Sequence, residues 1–180
     1  VEAEKLAEER RLAAIEEEVT RYMGMFENGP MIALRSRGIG ILTREAAREA
    51  CAVGPTARAS GIPESDRRLH HPTYQKLGFT PISREEGDNF ARIMMRFQEV
   101  LQSIALIRIC LDTLPEGPIR GGGIPGAGEI AYSGEAPRGE LSYFIRTDAA
   151  GRIIDITIQT PSIMNIEACC HYMLKGVASL

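Results

Sequence analysis

The 180-residue sequence has no excess of positive charge: 21 Lys and Arg stand against 24 Asp and Glu, a formal net charge of −3. A general nucleic-acid binder neutralises phosphates with a basic surplus, so that class is excluded. No apolar run approaches the roughly 20 residues that cross a bilayer. Gly-x-Ser-x-Gly and His-Glu-x-x-His are both absent, which leaves a hydrolase reading without support. The glycine run Gly121-Gly122-Gly123-Ile124-Pro125-Gly126-Ala127-Gly128 lacks the Lys-Ser/Thr signature of a phosphate loop and reads as a flexible surface loop. Four cysteines (Cys51, Cys110, Cys169, Cys170) form no C-x-x-C pair. Adjacent Cys169 and Cys170 would point about 100° apart on a helix, a poor chelate. The four are expected to be reduced, buried thiols.

What is present is an ordinary globular balance, 44% hydrophobic and 25% charged with 18 Gly and 10 Pro. It fits a single domain over 1–180, with no internal repeat and no linker to divide it. The start, Val1-Glu2-Ala3-Glu4-Lys5, is acidic and helical rather than a signal peptide. Val in place of an initiating Met fits a segment of a longer polypeptide, expected to be its C-terminal portion.

Residues 2–27 read as one helix, because Leu12, Ile15, Val19, Tyr22 and Phe26 repeat at spacings of 3, 4, 3 and 4. Asn28-Gly29-Pro30 ends it. Its partner is the segment 88–114, where Ile93, Phe97, Val100, Ile104, Ile107 and Leu111 form one row and Phe90, Met94, Leu101 and Ala105 a second. So wide a stripe marks a helix covered on more than one side. Between them, 31–42 is expected to form a short strand pair, Thr43 to cap a helix through about Cys51, 53–62 to be loop, and 63–68 a helical turn. Residues 140–147 and 152–160 alternate apolar and polar around Asp148-Ala149-Ala150-Gly151 and predict a β-hairpin. Asn165 to Leu174 predicts a last helix. The fold class is therefore mainly α (α+β): a helical bundle with two long helices and a small antiparallel hairpin.

Chemistry is most legible in the arginines and in two turns. Arg35, Arg37, Arg58, Arg67, Arg68, Arg92, Arg96, Arg120 and Arg138 lie near loops or on the second long helix. The plain expectation is an ion-pair network tying loops to the bundle; the alternative is donors aimed at an anionic or polar ligand. In Glu135-Ala136-Pro137-Arg138-Gly139-Glu140, Pro fixes the backbone before Arg138 and Gly139 permits close approach. In Gln159-Thr160-Pro161-Ser162, Pro161 again sets the backbone and Ser162 offers a hydroxyl. The three histidines, His70, His71 and His171, have no context that marks a catalytic base.

These motifs occur in one order: Gly38-Ile39-Gly40-Ile41-Leu42, Val53-Gly54-Pro55-Thr56-Ala57-Arg58-Ala59-Ser60-Gly61-Ile62, Asp66-Arg67-Arg68, and Gly87-Asp88-Asn89-Phe90-Ala91-Arg92 with Arg96, Glu99 and Gln102-Ser103. Then follow Leu114-Pro115-Glu116-Gly117-Pro118, Glu135 to Glu140, and Thr160-Pro161-Ser162 with Asn165. In that order the chain resembles, from about Arg37 to Leu180, the large subunit of energy-converting, membrane-bound [NiFe] hydrogenases, and the homologous 49 kDa subunit of respiratory complex I. The hydrogenase branch is favoured by Arg138, where the complex I subunit usually has Lys, and by the Pro161-Ser162 turn followed by Asn165. The resemblance implies that Arg138, with Pro137 beside it, overhangs the open position of a NiFe(CN)2CO centre in the full-length parent, polarising dihydrogen or helping to cleave it. It implies that Pro161 and Ser162 face a diatomic ligand of the iron, Ser162 by hydrogen bonding. It further implies an iron–sulfur small subunit and membrane subunits as partners, and a peripheral place on the cytoplasmic side of the membrane.

The four thiolates of that family come from two C-x-x-C motifs that this sequence does not contain. The chain is therefore expected to supply no metal ligand, to hold no such cofactor alone and to be inactive alone. His70-His71-Pro72-Thr73-Tyr74 departs from the acidic residue usual before the family's Pro-Tyr pair. The alternative reading is a metal-free relative serving, like the 49 kDa subunit of NADH-quinone oxidoreductase, as a scaffold or electron-transfer subunit. The seam over 12–26 is expected to be incompletely covered and to favour self-association.

Overall fold

A computed structural model describes residues 2–115, 117, 123 and 126–174. Two long helices run antiparallel, α1 (Glu2–Asn28) and α6 (Asn89–Thr113). Phe26 meets Phe97 edge-on at 5.4 Å, and towards the other end of α1 Arg108 of α6 pairs with Glu9 and Glu16 at 2.8 and 2.7 Å. Both helices match the heptad-like spacing. The seam of α1 is only partly covered: Leu12 is buried, Val19 and Phe26 are half-buried, and Ile15 and Tyr22 are exposed.

Helix α6 is the spine of the molecule. The Asp88 carboxylate caps its start by accepting from the Ala91 amide at 2.7 Å, and it also accepts from the Gly38 amide at 2.8 Å. Phe90, Ala91, Arg92, Met94, Met95, Glu99 and Ile104 are buried along it. Arg92 thus lies inside, donating to the carbonyls of Gly87 and Gly40 at 2.6 Å each and to Asn89 Oδ1.

The connecting region differs from expectation in two places. Residues 30–36 form a helix, α2 (Pro30–Ser36), not the first half of a strand pair. Proline at the first helical position is preset for helix, and the Ser36 hydroxyl bonds back to the Ile32 carbonyl. Residues 38–42 find their backbone partners in the segment before α6: Leu42 N–H donates to the Gly87 carbonyl, and Asn89 N–H to the Ile39 carbonyl. Next comes α3 (Arg44–Glu49), capped by Thr43 as predicted. The stretch predicted as loop contains a buried helical turn, α4 (Gly54–Arg58), which Pro55 starts and Ala57 and Arg58 extend. Two 3-10 turns (Pro63–Ser65 and Arg67–His70) and α5 (Pro72–Lys76) follow. The core joining these pieces is small-residue packing: Leu42, Ala47, Ala50, Ala52, Ala57, Ile62 and Ala168, with Ala59, Ala91 and Met95 beside them.

The hairpin supplies two strands of a three-stranded antiparallel sheet, order β1 (Gly128–Ala136), β2 (Gly139–Thr147), β3 (Ile153–Gln159). Strand β1 was hidden by its glycine-rich approach, of which Gly121, Gly122, Ile124 and Pro125 lie outside the described residues. In the β2–β3 turn the Asp148 carboxylate accepts from the amides of Ala150 and Arg152, both at 2.9 Å. The register puts Ile130, Tyr132, Tyr143, Ile145, Ile156 and Ile158 on one face. Helix α7 (Pro161–Ala168) starts four residues earlier than predicted and passes into a π-turn (Cys169–Met173). All four cysteines are exposed, against the expectation of buried thiols: the packed small-residue positions are taken by alanine, and each thiol lies outside that core. Among the described residues no helix is long and apolar enough to cross a membrane.

Candidate functional site

Residues 52–62 are buried without interruption between α6 and the sheet. At their centre is Arg58, 1% exposed, whose Nε donates to Glu99 at 2.6 Å and whose Nη1 donates to Glu135 at 2.8 Å. Asp66 lies 3.4 Å from the same Nη1 and takes a two-pronged contact from Arg68, at 2.9 and 2.7 Å. Burial alone would push the Arg58 guanidinium down; the bond and charge of Glu99, with Asp66 and Glu135, more than offset it and hold it above the usual arginine value. The ion-pair network expected from the arginines is therefore present. It joins α4, α6, the segment after α4 and the end of β1.

Glu135 sits three residues before Arg138, so this buried charge anchors the strand that leads into the Pro137-Arg138 turn. A second anchor is steric. Gly54 has φ +66°, and a Cβ there would lie 2.3 Å from the Arg138 carbonyl oxygen; a Cβ on Gly139 would lie 2.8 Å from the Gly54 nitrogen. Only two glycines allow these backbones to touch. A third anchor comes from α7: Asn165 Oδ1 accepts from the Val53 amide at 3.0 Å and Asn165 Nδ2 donates to the Val53 carbonyl at 3.2 Å.

The residues expected to carry chemistry fall around this dipeptide. Pro137 and Arg138 form the exposed apex between β1 and β2. Pro161 is buried at the first turn of α7 and Ser162 beside it is exposed. Among the described residues Arg138 makes no ion pair with a carboxylate. Its charge is felt by Arg96, whose guanidinium is pushed below the usual arginine value by burial and by Arg138, with Glu99 opposing. Arg92 is pushed down too, by burial first and by Arg96, against Asp88. Arg96 therefore feels the charge of both Arg92 and Arg138; the donors of Arg92 are taken by the carbonyls of Gly87 and Gly40 and by Asn89, whereas Arg138 is exposed at the turn, and an exposed guanidinium suits an anionic or strongly accepting ligand.

Sequence reasoning quoted Glu135, Asp66 and Asn165 inside motifs without giving them roles. The available signal was an ionisable or amide side chain embedded in a Gly/Pro-rich run. The His70-His71-Pro72 segment lies elsewhere, against the sheet: His71, Arg68, Tyr74, Tyr132, Leu141 and Tyr143 help line a cleft of about 240 Å³ that includes none of Arg138, Pro161 or Ser162.

The donor set does not include metal ligands. Among the described residues no group of three or more His, Cys, Asp or Glu is placed to hold a metal ion.

Comparison with known proteins agrees with the order of motifs. Over 155 residues the chain is 38% identical to the carbon monoxide-induced hydrogenase of Rhodospirillum rubrum, covering 84% of this chain and 43% of that protein. It is 32% identical over 189 residues to an NADH-quinone oxidoreductase subunit of Salinibacter ruber, covering 88% and 42%. With an F(420)H(2) dehydrogenase subunit of Methanosarcina mazei it shares 33% over 159 residues, covering 82% and 42%. The chain spans less than half the length of these relatives. They are proteins of redox enzymes, hydrogenase on one side and dehydrogenase or quinone oxidoreductase on the other. The sequence profile of the respiratory-chain NADH dehydrogenase 49 Kd subunit matches residues 4–123, and the chain belongs to that family.

Proposed function

We propose that this chain, as a single structural unit, is part of the catalytic large subunit of a membrane-associated [NiFe] hydrogenase that oxidises or evolves dihydrogen. Its electrons pass to an iron–sulfur small subunit, and the complex is peripheral on the cytoplasmic face. The observation that carries this reading is Arg138: a guanidinium at the tip of a turn whose backbone is anchored by Glu135, Gly54 and Gly139, with no carboxylate partner among the described residues. A support this rigid for an unpaired arginine suits a donor held ready for a ligand rather than a surface charge. The greater identity to the hydrogenase than to the oxidoreductase subunits compared supports the same branch.

In this reading the whole protein supplies the thiolates and binds nickel and iron. This chain's residues provide the polar surroundings. Arg138 presents N–H donors from one turn, Ser162 presents a hydroxyl from the other, and buried Pro161 fixes the backbone between sheet and helix. Arg96 keeps the region positive.

The second reading, a metal-free scaffold related to NADH-quinone oxidoreductase, draws on the family match. Arg138→Lys separates the two. In the natural complex, hydrogen-dependent reduction of a viologen dye is expected to fall by about 10²-fold or more, the scale for losing a preorganised donor, with the complex still assembled. Unchanged turnover in R138K, or a wild-type complex with no hydrogen-dependent reduction at all, would overturn the hydrogenase reading.

A further inference from the structure

The two turns assigned to the site are far apart in sequence, and no side chain of one is needed to hold the other directly. The Arg138 turn and the helix that begins at Pro161-Ser162 both meet the same short piece of backbone, the helix through Asn165. Val53 receives the Asn165 carboxamide on its amide and its carbonyl together, a two-point contact that leaves the Asn165 side chain little rotational freedom. The next residue, Gly54, lies against Arg138 and Gly139 so closely that neither glycine has room for a Cβ. Asn165 lies one helical turn beyond Pro161-Ser162 on α7. A displacement of α7 is therefore passed through Val53-Gly54 to the Arg138 turn.

We propose that Asn165 is a positioning residue: through Val53-Gly54 it locks the Pro161-Ser162 turn and the Pro137-Arg138 turn into one fixed relation. Its importance for chemistry rests on the reading of Arg138 and Ser162 given above; the mechanical coupling does not. Alanine at 165 removes both contacts to Val53. Aspartate keeps the acceptor for the Val53 amide and sets a carboxylate oxygen against the Val53 carbonyl.

The test is residue-resolved NMR on the whole natural protein that contains this chain, selectively labelled at the residues named. In Asn165→Ala the Val53 amide should exchange about tenfold faster, the scale of one net hydrogen bond. The Ser162 amide, Gly139 amide and Arg138 Nε–H resonances should shift together, and the Arg58 Nε–H, held by its own carboxylates, should stay in place. Asn165→Asp should give the same pattern at smaller amplitude, and it supplies the readout if the alanine variant does not fold. Gly139→Ala probes the path in reverse and should move the Asn165 side-chain amide. Shifts confined to α7 in the Asn165 variants, or an unmoved Asn165 amide in a folded Gly139→Ala, would overturn the coupling. Coupling in a protein whose natural complex holds no nickel would instead remove the hydrogenase reading and leave the coupling standing.

Discussion

Two regions of this molecule obey different rules. Residues 52–62 are buried throughout, carry a charged centre with three carboxylates around one guanidinium, and hold backbone–backbone contacts that admit only glycine. Strand β3 is exposed along all seven residues, and Ile153, Ile154, Ile156 and Ile158 are each close to half exposed or more. Hydrophobicity alone would have ranked them the other way. The polar, Gly/Pro-rich segment is the interior, and the isoleucine-rich strand is surface. Burial follows from what α6 and the sheet enclose, and the enclosed segment is the one that supports Arg138.

The contrast is open to direct attack. Arg58→Ala should have the largest effect, because it leaves Asp66, Glu99 and Glu135 without their shared cation. A loss of about 3–5 kcal/mol is expected, the scale for breaking a buried ion pair, read by chemical denaturation; a loss under about 1 kcal/mol would mean the centre is not rigid. Gly54→Ala should come next, costing more than about 1 kcal/mol from its left-handed backbone and its collision with the Arg138 carbonyl. A crystal structure of that variant should show the Arg138 turn displaced.

The exposed sheet should respond weakly. In the β2–β3 turn, the amide of Arg152 holds the Asp148 carboxyl below the usual aspartate value against desolvation, with the Arg152 side chain and the Ala150 amide assisting. A carboxyl depressed in the folded state stabilises above its unfolded pKa, about 4, and that contribution fades as pH falls through the lower folded value. Asp148→Asn should therefore differ from the parent at neutral pH and converge with it in acid, as followed by thermal melts across pH. Smallest of all, Ile156→Thr should change stability by no more than about 0.5 kcal/mol, the range for exposed positions; a larger loss would show that β3 is covered in solution.

The same contrast explains what was legible in the sequence. The long helices were, because a 3–4 spacing sustained over many residues has one structural meaning, and Thr43 and Asp88 marked helix starts by their chemistry. The β2–β3 hairpin was, through alternation and its Asp148–Gly151 turn. Helices α2 and α4 were not. Each is shorter than two full helical turns, too short to display a period, and each has a proline at its first or second residue that reads equally as a turn. Strand β1 was not, because its glycines mask the alternation that its partner shows. Of the site, the turns carrying Arg138 and Ser162 could be picked out from Pro and Gly flanking a polar residue. Their support could not: Glu135 reaches Arg58 across 77 positions and Asn165 reaches Val53 across 112, separations that no local pattern encodes.

Elemental analysis of the intact natural complex containing this chain tests the central claim most directly. Stoichiometric nickel, one per copy of the chain, is the result this account predicts. A complex purified whole, with its iron–sulfur clusters retained and no nickel, would contradict it and assign the chain to the metal-free branch of the family.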